Sequence, residues 1–248
     1  MRTVYLRFYE ELNDFLPKEK KKKRFTHHYI DKTSVKDLIE SIGVPHSEVD
    51  LIIANGKSVN FKYLINDGDD ISVYPVFESL DISDVQHLRA KPLREPKFIC
   101  DVHLGKLARY LRMMGFDVYY KNDLLVEEIV NISLKERRTI LTKDRGILKR
   151  NEVTHGYFVR NIIVEEQVRE VIERFDLQKE IKEFTRCLEC NSELIKIAKE
   201  KIAGKLPPKV NQSKHEFYEC PGCGKLYWKG THHQKMLAFI EMIKDTNL

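Results

Sequence analysis

From Lys97 onward the chain alternates short apolar runs with stretches in which apolar residues recur every three to four positions, and this alternation constrains the fold more than any other feature. FIC is followed by a segment that places Leu104, Leu107, Ala108, Leu111 and Met114 on one helical face. FDVYY, RTILT and GYFVR repeat the strand pattern. LLVEEIVNISLKE, a segment starting near Asp144, and IIVEEQVREVIERF repeat the helical one. Successive βα units require parallel strands joined by right-handed crossovers, so the expected fold class is α/β with a three-layer parallel sheet.

In an open parallel sheet, sites form at the carboxyl ends of strands. Asp101 directly follows the first strand, Asp123 lies three residues past the second, and Asp144 lies just past the third in LTKDRG. Clustered carboxylates repel one another unless one is protonated or a cation intervenes. Hard oxygen ligands suit Mg²⁺ or Mn²⁺, and the chemistry such a site favours is metal-assisted attack of water on a phosphodiester. Glu127 or Glu128 offers a further ligand. Each acid taken singly reads equally well as a helix cap, whereas three at matching strand ends read as a site. Asp101 is followed by His103 and not by a second Asp two positions on, which removes the usual phosphatase dyad.

Cations surround these acids. Lys106, Arg109 and Arg112 form an i, i+3, i+6 stripe, and Lys143, Arg145, Lys149 and Arg150 flank Asp144. The expectation is a rim that holds an RNA backbone, with Arg145 as a catalytic cation; the alternative for the stripe is a solvated helix face.

CLEC at 187–190 and CPGC at 220–223 provide four soft ligands, Cys187, Cys190, Cys220 and Cys223, in the two-knuckle pattern of a structural Zn²⁺ site. KIAGKLPPKVNQS between them reads as an extruded loop, and Cys100, alone in an apolar run, as a small buried hydrophobe. Trp228 and His232 follow the second knuckle among lysines. Two readings stay open for Trp228: stacking on unpaired RNA bases, or covering the zinc core.

At the N-terminus Val4, Leu6 and Phe8 alternate with Tyr5, Arg7 and Tyr9, the period of a half-buried strand. FTHHYI can pair with it, SVKDLIESIG reads as a helix capped by Ser34 and closed by Gly43, and LIIANG and DDISVYPVF add strands. Lys18, Lys20, Lys21, Lys22, Lys23 and Arg24 form a basic run, either a solvated loop or a phosphate-contacting arm. Residues 81–96, with Pro92 and Pro96, read as a linker.

INDGDDISVYPVFE resembles the end of the β-grasp sulfur-carrier and ubiquitin-like family, although the chain runs on where the carriers finish in Gly-Gly. The resemblance implies a docking role with a protein partner. CDVHLGKLARYLRMMGFDVYY followed by RRTILTKDRGILKR closely resembles the mutator-seven C-terminal RNase domain, a PIN-like nuclease branch, from about 97 to 240. It implies a metal-dependent ribonuclease with Asp101 and Asp144 in the acidic site. The expected organisation is a β-grasp domain at 1–80, the linker, a PIN-like catalytic domain at 97–180, and a zinc ribbon with a C-terminal helix at 181–248.

The formal charge of +5 permits a polyanionic partner without requiring one. No apolar run is long enough for a signal peptide or a bilayer span, so the expected location is cytoplasmic. The rival to the nuclease is a non-catalytic RNA-binding or adaptor protein in which the acids are caps.

Overall fold

Alternation at the N-terminus does what it predicts. In β1 (Arg2–Phe8), Val4, Leu6 and Phe8 are buried while Arg2 and Arg7 reach solvent. β2 (Phe25–Tyr29), α1 (Val35–Ile42), β3 (Val49–Ala54), β4 (Lys57–Ser58) and β5 (Asp70–Pro75) follow. Next come β6 (Lys97–Cys100), α2 (Gly105–Met113), β7 (Asp117–Tyr119), α3 (Val126–Glu136), β8 (Thr139–Thr142), α4 (Arg145–Leu148), β9 (Gly156–Phe158) and α5 (Val164–Arg174). β10 (Ile195–Ile197), β11 (Phe217–Glu219), β12 (Leu226–Trp228) and α6 (Thr231–Lys244) complete the chain. The computed structural model describes residues 1–75, 88, 96–207, 210 and 216–245. The expected linker at 81–96 lies outside the described residues apart from 88 and 96, as do 208, 209 and 211–213 of the expected loop.

Two compact units emerge, Met1–Glu95 with Val126–Phe158, and Pro96–Leu125 with Val159–Leu248. In the first, the sheet order is β2-β1-β5-β3-β4, with β1 and β5 parallel and the other pairs antiparallel. Ser34 caps α1 by accepting a hydrogen bond from the Asp37 amide, and Gly43 closes it at φ +112°, a conformation that costs glycine nothing. The helix buries Val35, Leu38 and Ile39 against Val4, Leu6, Ile52 and Ile71. This is the expected β-grasp, and Leu38→Ala in its core would cost about 2–5 kcal/mol. The same unit holds the parallel pair β8 and β9 with α3 and α4.

In the second unit β6 and β7 pair in parallel, Phe98 opposite Val118. The apolar stripe of α2 is buried as expected, Leu107, Ala108 and Leu111 being inaccessible to solvent, and α2 packs on α5. A six-to-one bond from the Phe116 amide to the Leu111 carbonyl and a second from Gly115 to Arg112 terminate α2, with Gly115 at φ +96°. The parallel α/β architecture and the N-terminal β-grasp expected from the sequence are both present. β10, β11 and β12 form a separate antiparallel sheet over Ile202, Leu206 and Phe217. Among the described residues no helix is long and apolar enough to cross a membrane.

Candidate active site and metal centre

Two equivalent turns build the cysteine site. The Asn191 amide donates to the Cys187 carbonyl at 3.0 Å, and the Gly224 amide donates to the Cys220 carbonyl at 2.8 Å. Each turn ends four residues after its first cysteine in a left-handed residue, Asn191 at φ +73° and Gly224 at φ +72°. All four sulfurs lie within 4.8 Å of one another, the one such group of metal-capable side chains among the described residues. Tetrahedral zinc with Zn–S bonds of about 2.3 Å requires sulfurs about 3.8 Å apart; Cys187 and Cys223 are 3.6 Å apart and Cys190 and Cys220 are 3.2 Å apart. Burial pushes the Cys190 thiol up, but the Ser192 hydroxyl and amide and the neighbouring thiols outweigh it and bring it down to about 6. Four thiolates at this spacing repel, and a dication ligated by all four removes the conflict. The donor set therefore fits Zn²⁺, closed and structural.

Arg112 corrects an expectation. It is 2% exposed, so it lines no RNA path. Its guanidinium donates to the carbonyls of Val118 at 2.9 Å, Leu188 at 3.1 Å and Glu189 at 2.7 Å, fastening α2 and β7 to the first knuckle. Burial lowers its pKa, with Cys100 and the Cys187 and Cys190 thiolates pulling the other way. Asn191 adds a second fastening: its side-chain oxygen accepts from the Val118 amide at 3.0 Å and its amide donates to Asp117 at 2.7 Å.

Trp228 is half-buried and packs on the Ile202, Leu206 and Phe217 cluster. Lys149 is half-buried and its ammonium donates to the Glu40 carbonyl at 2.9 Å. Lys106, Arg109 and His232 are exposed, with Arg109 3.4 Å from Glu189, and Lys143 is half-buried. Of the basic run, Arg24 lies 3.2 Å from Asp70 and over the Tyr5 ring at 3.9 Å.

Asp101 follows β6 and is 2% exposed. Its Oδ1 accepts from the His103 amide at 2.8 Å, capping the turn Val102–Leu104. The loop after β7 is tied to that turn by Tyr120, whose hydroxyl donates to Asn122 at 2.8 Å and reaches the Val102 carbonyl at 3.2 Å. Gly105 is needed there, because a Cβ would lie 2.4 Å from the Tyr120 hydroxyl. Burial, with Cys100 and Asp101 close by, raises the Tyr120 pKa. Asp123 is exposed on a turn three residues before α3 and so is not its cap. Asp101 and Asp123 thus follow neighbouring parallel strands of one unit.

Asp144 sits in the other unit, two residues past β8. It caps α4 by accepting from the Gly146 amide at 2.7 Å, and its own amide donates to Thr142 Oγ1 at 2.8 Å. The carboxylate is exposed and uses Oδ1 for the cap, leaving Oδ2 for a ligand. Glu127 pairs with Arg150 at 3.0 Å. Arg145 is exposed, its guanidinium carbon 5.0 Å from the ring centres of both Phe15 and Phe158. Sequence reasoning missed this two-ring seat and the Arg112 clamp, and it offered only the Tyr120 and Gly105 motif residues as uninterpreted letters.

The Mut7-C RNAse domain family matches residues 96–240, and the Mut7-C ubiquitin family matches residues 1–81. No curated protein and no solved structure matches the chain. The RNase-family match takes in all three acids and all four cysteines and spans more than half of the chain, which therefore belongs to the Mut7-C RNAse domain family and carries a Mut7-C ubiquitin-like domain at its N-terminus.

Proposed function

We propose that the protein is a divalent-metal-dependent ribonuclease that hydrolyses RNA phosphodiester bonds. The observation that carries this reading is the RNase-family match over 96–240, which includes Asp101 directly after β6 and Asp144 two residues past β8. Asp101, Asp123 and Asp144 are the metal-binding acids, and their oxygen donors suit Mg²⁺ or Mn²⁺. When bound, such a cation activates water and neutralises charge building on the phosphate. Arg145 holds the phosphate, and Lys106, Arg109, Lys143 and His232 contact the RNA backbone. The zinc centre is structural, since four thiolates leave no open position.

The test is cleavage of labelled single-stranded and structured RNAs with Mg²⁺ or Mn²⁺, using the parent and Asp101→Asn with Asp144→Asn. Cleavage that stops in the double variant and on chelation is the expected result. Unchanged cleavage in the double variant overturns the site. RNA retention without cleavage under either metal, insensitive to Mg²⁺ removal, overturns the activity and leaves the adaptor.

A further inference from the structure

The segment carrying Asp144 is gripped by the ubiquitin-like domain of its own unit. His46, Ser47 and Glu48 form a short turn before β3 and are 6%, 1% and 2% exposed. Burying three polar side chains is costly unless each is paired, and each has a partner between 148 and 158. Ser47 Oγ donates to the Leu148 carbonyl at 3.0 Å, His46 Nε2 bonds the Val153 carbonyl at 3.0 Å, and the Phe158 amide donates to Glu48 Oε1 at 2.6 Å. Lys149 answers from the other side through its bond to Glu40. The approach is close enough that a Cβ on Gly156 would meet Leu148 at 2.3 Å and Ser47 Oγ at 3.4 Å.

Phe15, Phe158 and Arg145 complete this junction. The two rings meet edge to face at 5.9 Å, and the guanidinium rests 5.0 Å from each. An exposed arginine that grips phosphate forfeits rotamer freedom when it does so, and a side chain seated beforehand forfeits less. One wall of that seat, Phe15, comes from the ubiquitin-like domain.

Building on the ribonuclease reading, we infer that the ubiquitin-like domain is a positioning element of the nuclease site: Phe15 seats Arg145 next to Asp144, and the 46–48 turn holds the chain from Leu148 to Phe158. The partner of this domain face is its own chain. Phe15 and Glu48 act through Arg145 and the β9 strand and are positioning residues.

The test uses the full chain with Phe15→Leu, which keeps apolar volume and removes the ring, Arg145→Ala, and the two combined. A lost cation–ring contact corresponds to about a two- to fivefold rise in KM for RNA in Phe15→Leu. In the Arg145→Ala background the same change should have no further effect. An equal effect in both backgrounds, or faster cleavage in Phe15→Leu, overturns the proposal. Amide exchange across 145–158 reads the junction without RNA: it should accelerate in Glu48→Ala and recover in Glu48→Gln, which keeps an acceptor for the Phe158 amide. Exchange unchanged in Glu48→Ala overturns the positioning role, whereas accelerated exchange in a chain that cuts no RNA supports the grip and sinks only the ribonuclease reading.

Discussion

Replacing Arg112 by Met keeps most of the buried stem and deletes the fork that joins α2, β7 and the first zinc knuckle. The three shortest bonds, at 2.9, 3.1 and 2.7 Å, are lost together with a longer one of 3.5 Å to the Tyr120 carbonyl. At about 1.5–3 kcal/mol for each short bond to a charged donor, the gross loss is about 4–9 kcal/mol. Several kcal/mol return because a guanidinium no longer has to be held out of water. The net is about 3–5 kcal/mol, a large share of the roughly 5–15 kcal/mol that holds a domain. Two of the acceptors, Leu188 and Glu189, lie inside the Cys187–Cys190 knuckle, so the loss falls on the metal as well. Arg112 also stands within electrostatic reach of Cys187 and Cys190, where its charge offsets that of a four-thiolate zinc site.

Urea unfolding of the full chain should report the lost stability, and transfer of zinc to a chromogenic chelator should show affinity weakened about 10–100-fold, the range for losing a supporting contact behind metal ligands. Arg112→Lys should recover little, because a point charge cannot span carbonyls on separate elements. Parental stability together with parental zinc retention in Arg112→Met would refute the clamp.

Gly115→Ala places a Cβ 2.2 Å from the Lys182 carbonyl oxygen at a residue with φ +96°, so a thermal melt should show a loss of about 3–5 kcal/mol. Asn191→Gly keeps the left-handed turn but removes the bonds to Val118 and Asp117; chemical denaturation should read about 1–2 kcal/mol lost, and a neutral result would deny the fastening. Cys220→Ser should abolish stoichiometric zinc by metal analysis and expose the β10, β11 and β12 amides to exchange, since a structural zinc site contributes directly to folding.

Local periodicity carried the sequence reading far. The stripe of α2, the alternation of β1, and the Ser34 and Gly43 ends of α1 depend on neighbours within a few positions, and the structure follows them. Arg112 failed because its i, i+3, i+6 spacing with Lys106 and Arg109 says nothing of a carbonyl 76 positions away. One signal was available: the knuckles differ at their left-handed position, Asn191 against Gly224, and a side chain kept where glycine is easiest implies a contact. The 46–48 turn was illegible for the opposite reason. Ser and Glu ordinarily face water and His is intermediate, and partners distant in sequence, at Leu148, Val153 and Phe158, help make their burial tolerable. The bond from Lys149 to the Glu40 carbonyl was illegible for the same reason, its partner lying 109 positions away.

Asp101 and Asp144 are both caps, the reading that competed with ligation, and the two roles separate by substitution. Asn caps a helix as well as Asp does, whereas Ala costs about 1 kcal/mol. Asp101→Asn and Asp144→Asn therefore keep an acceptor for the His103 and Gly146 amides and lose the charge. In metal-free buffer Asp144→Asn, at an exposed side chain, should match the parent within about 0.5 kcal/mol. Adding Mn²⁺ then discriminates. A cation bound only by the folded chain stabilises it as its concentration passes the dissociation constant, by about 2.7 kcal/mol at a hundredfold excess, and so raises the melting temperature. That shift should appear in the parent and shrink in each Asn variant, with no RNA present. An identical shift in parent and variants, or none in the parent, would leave both acids as caps.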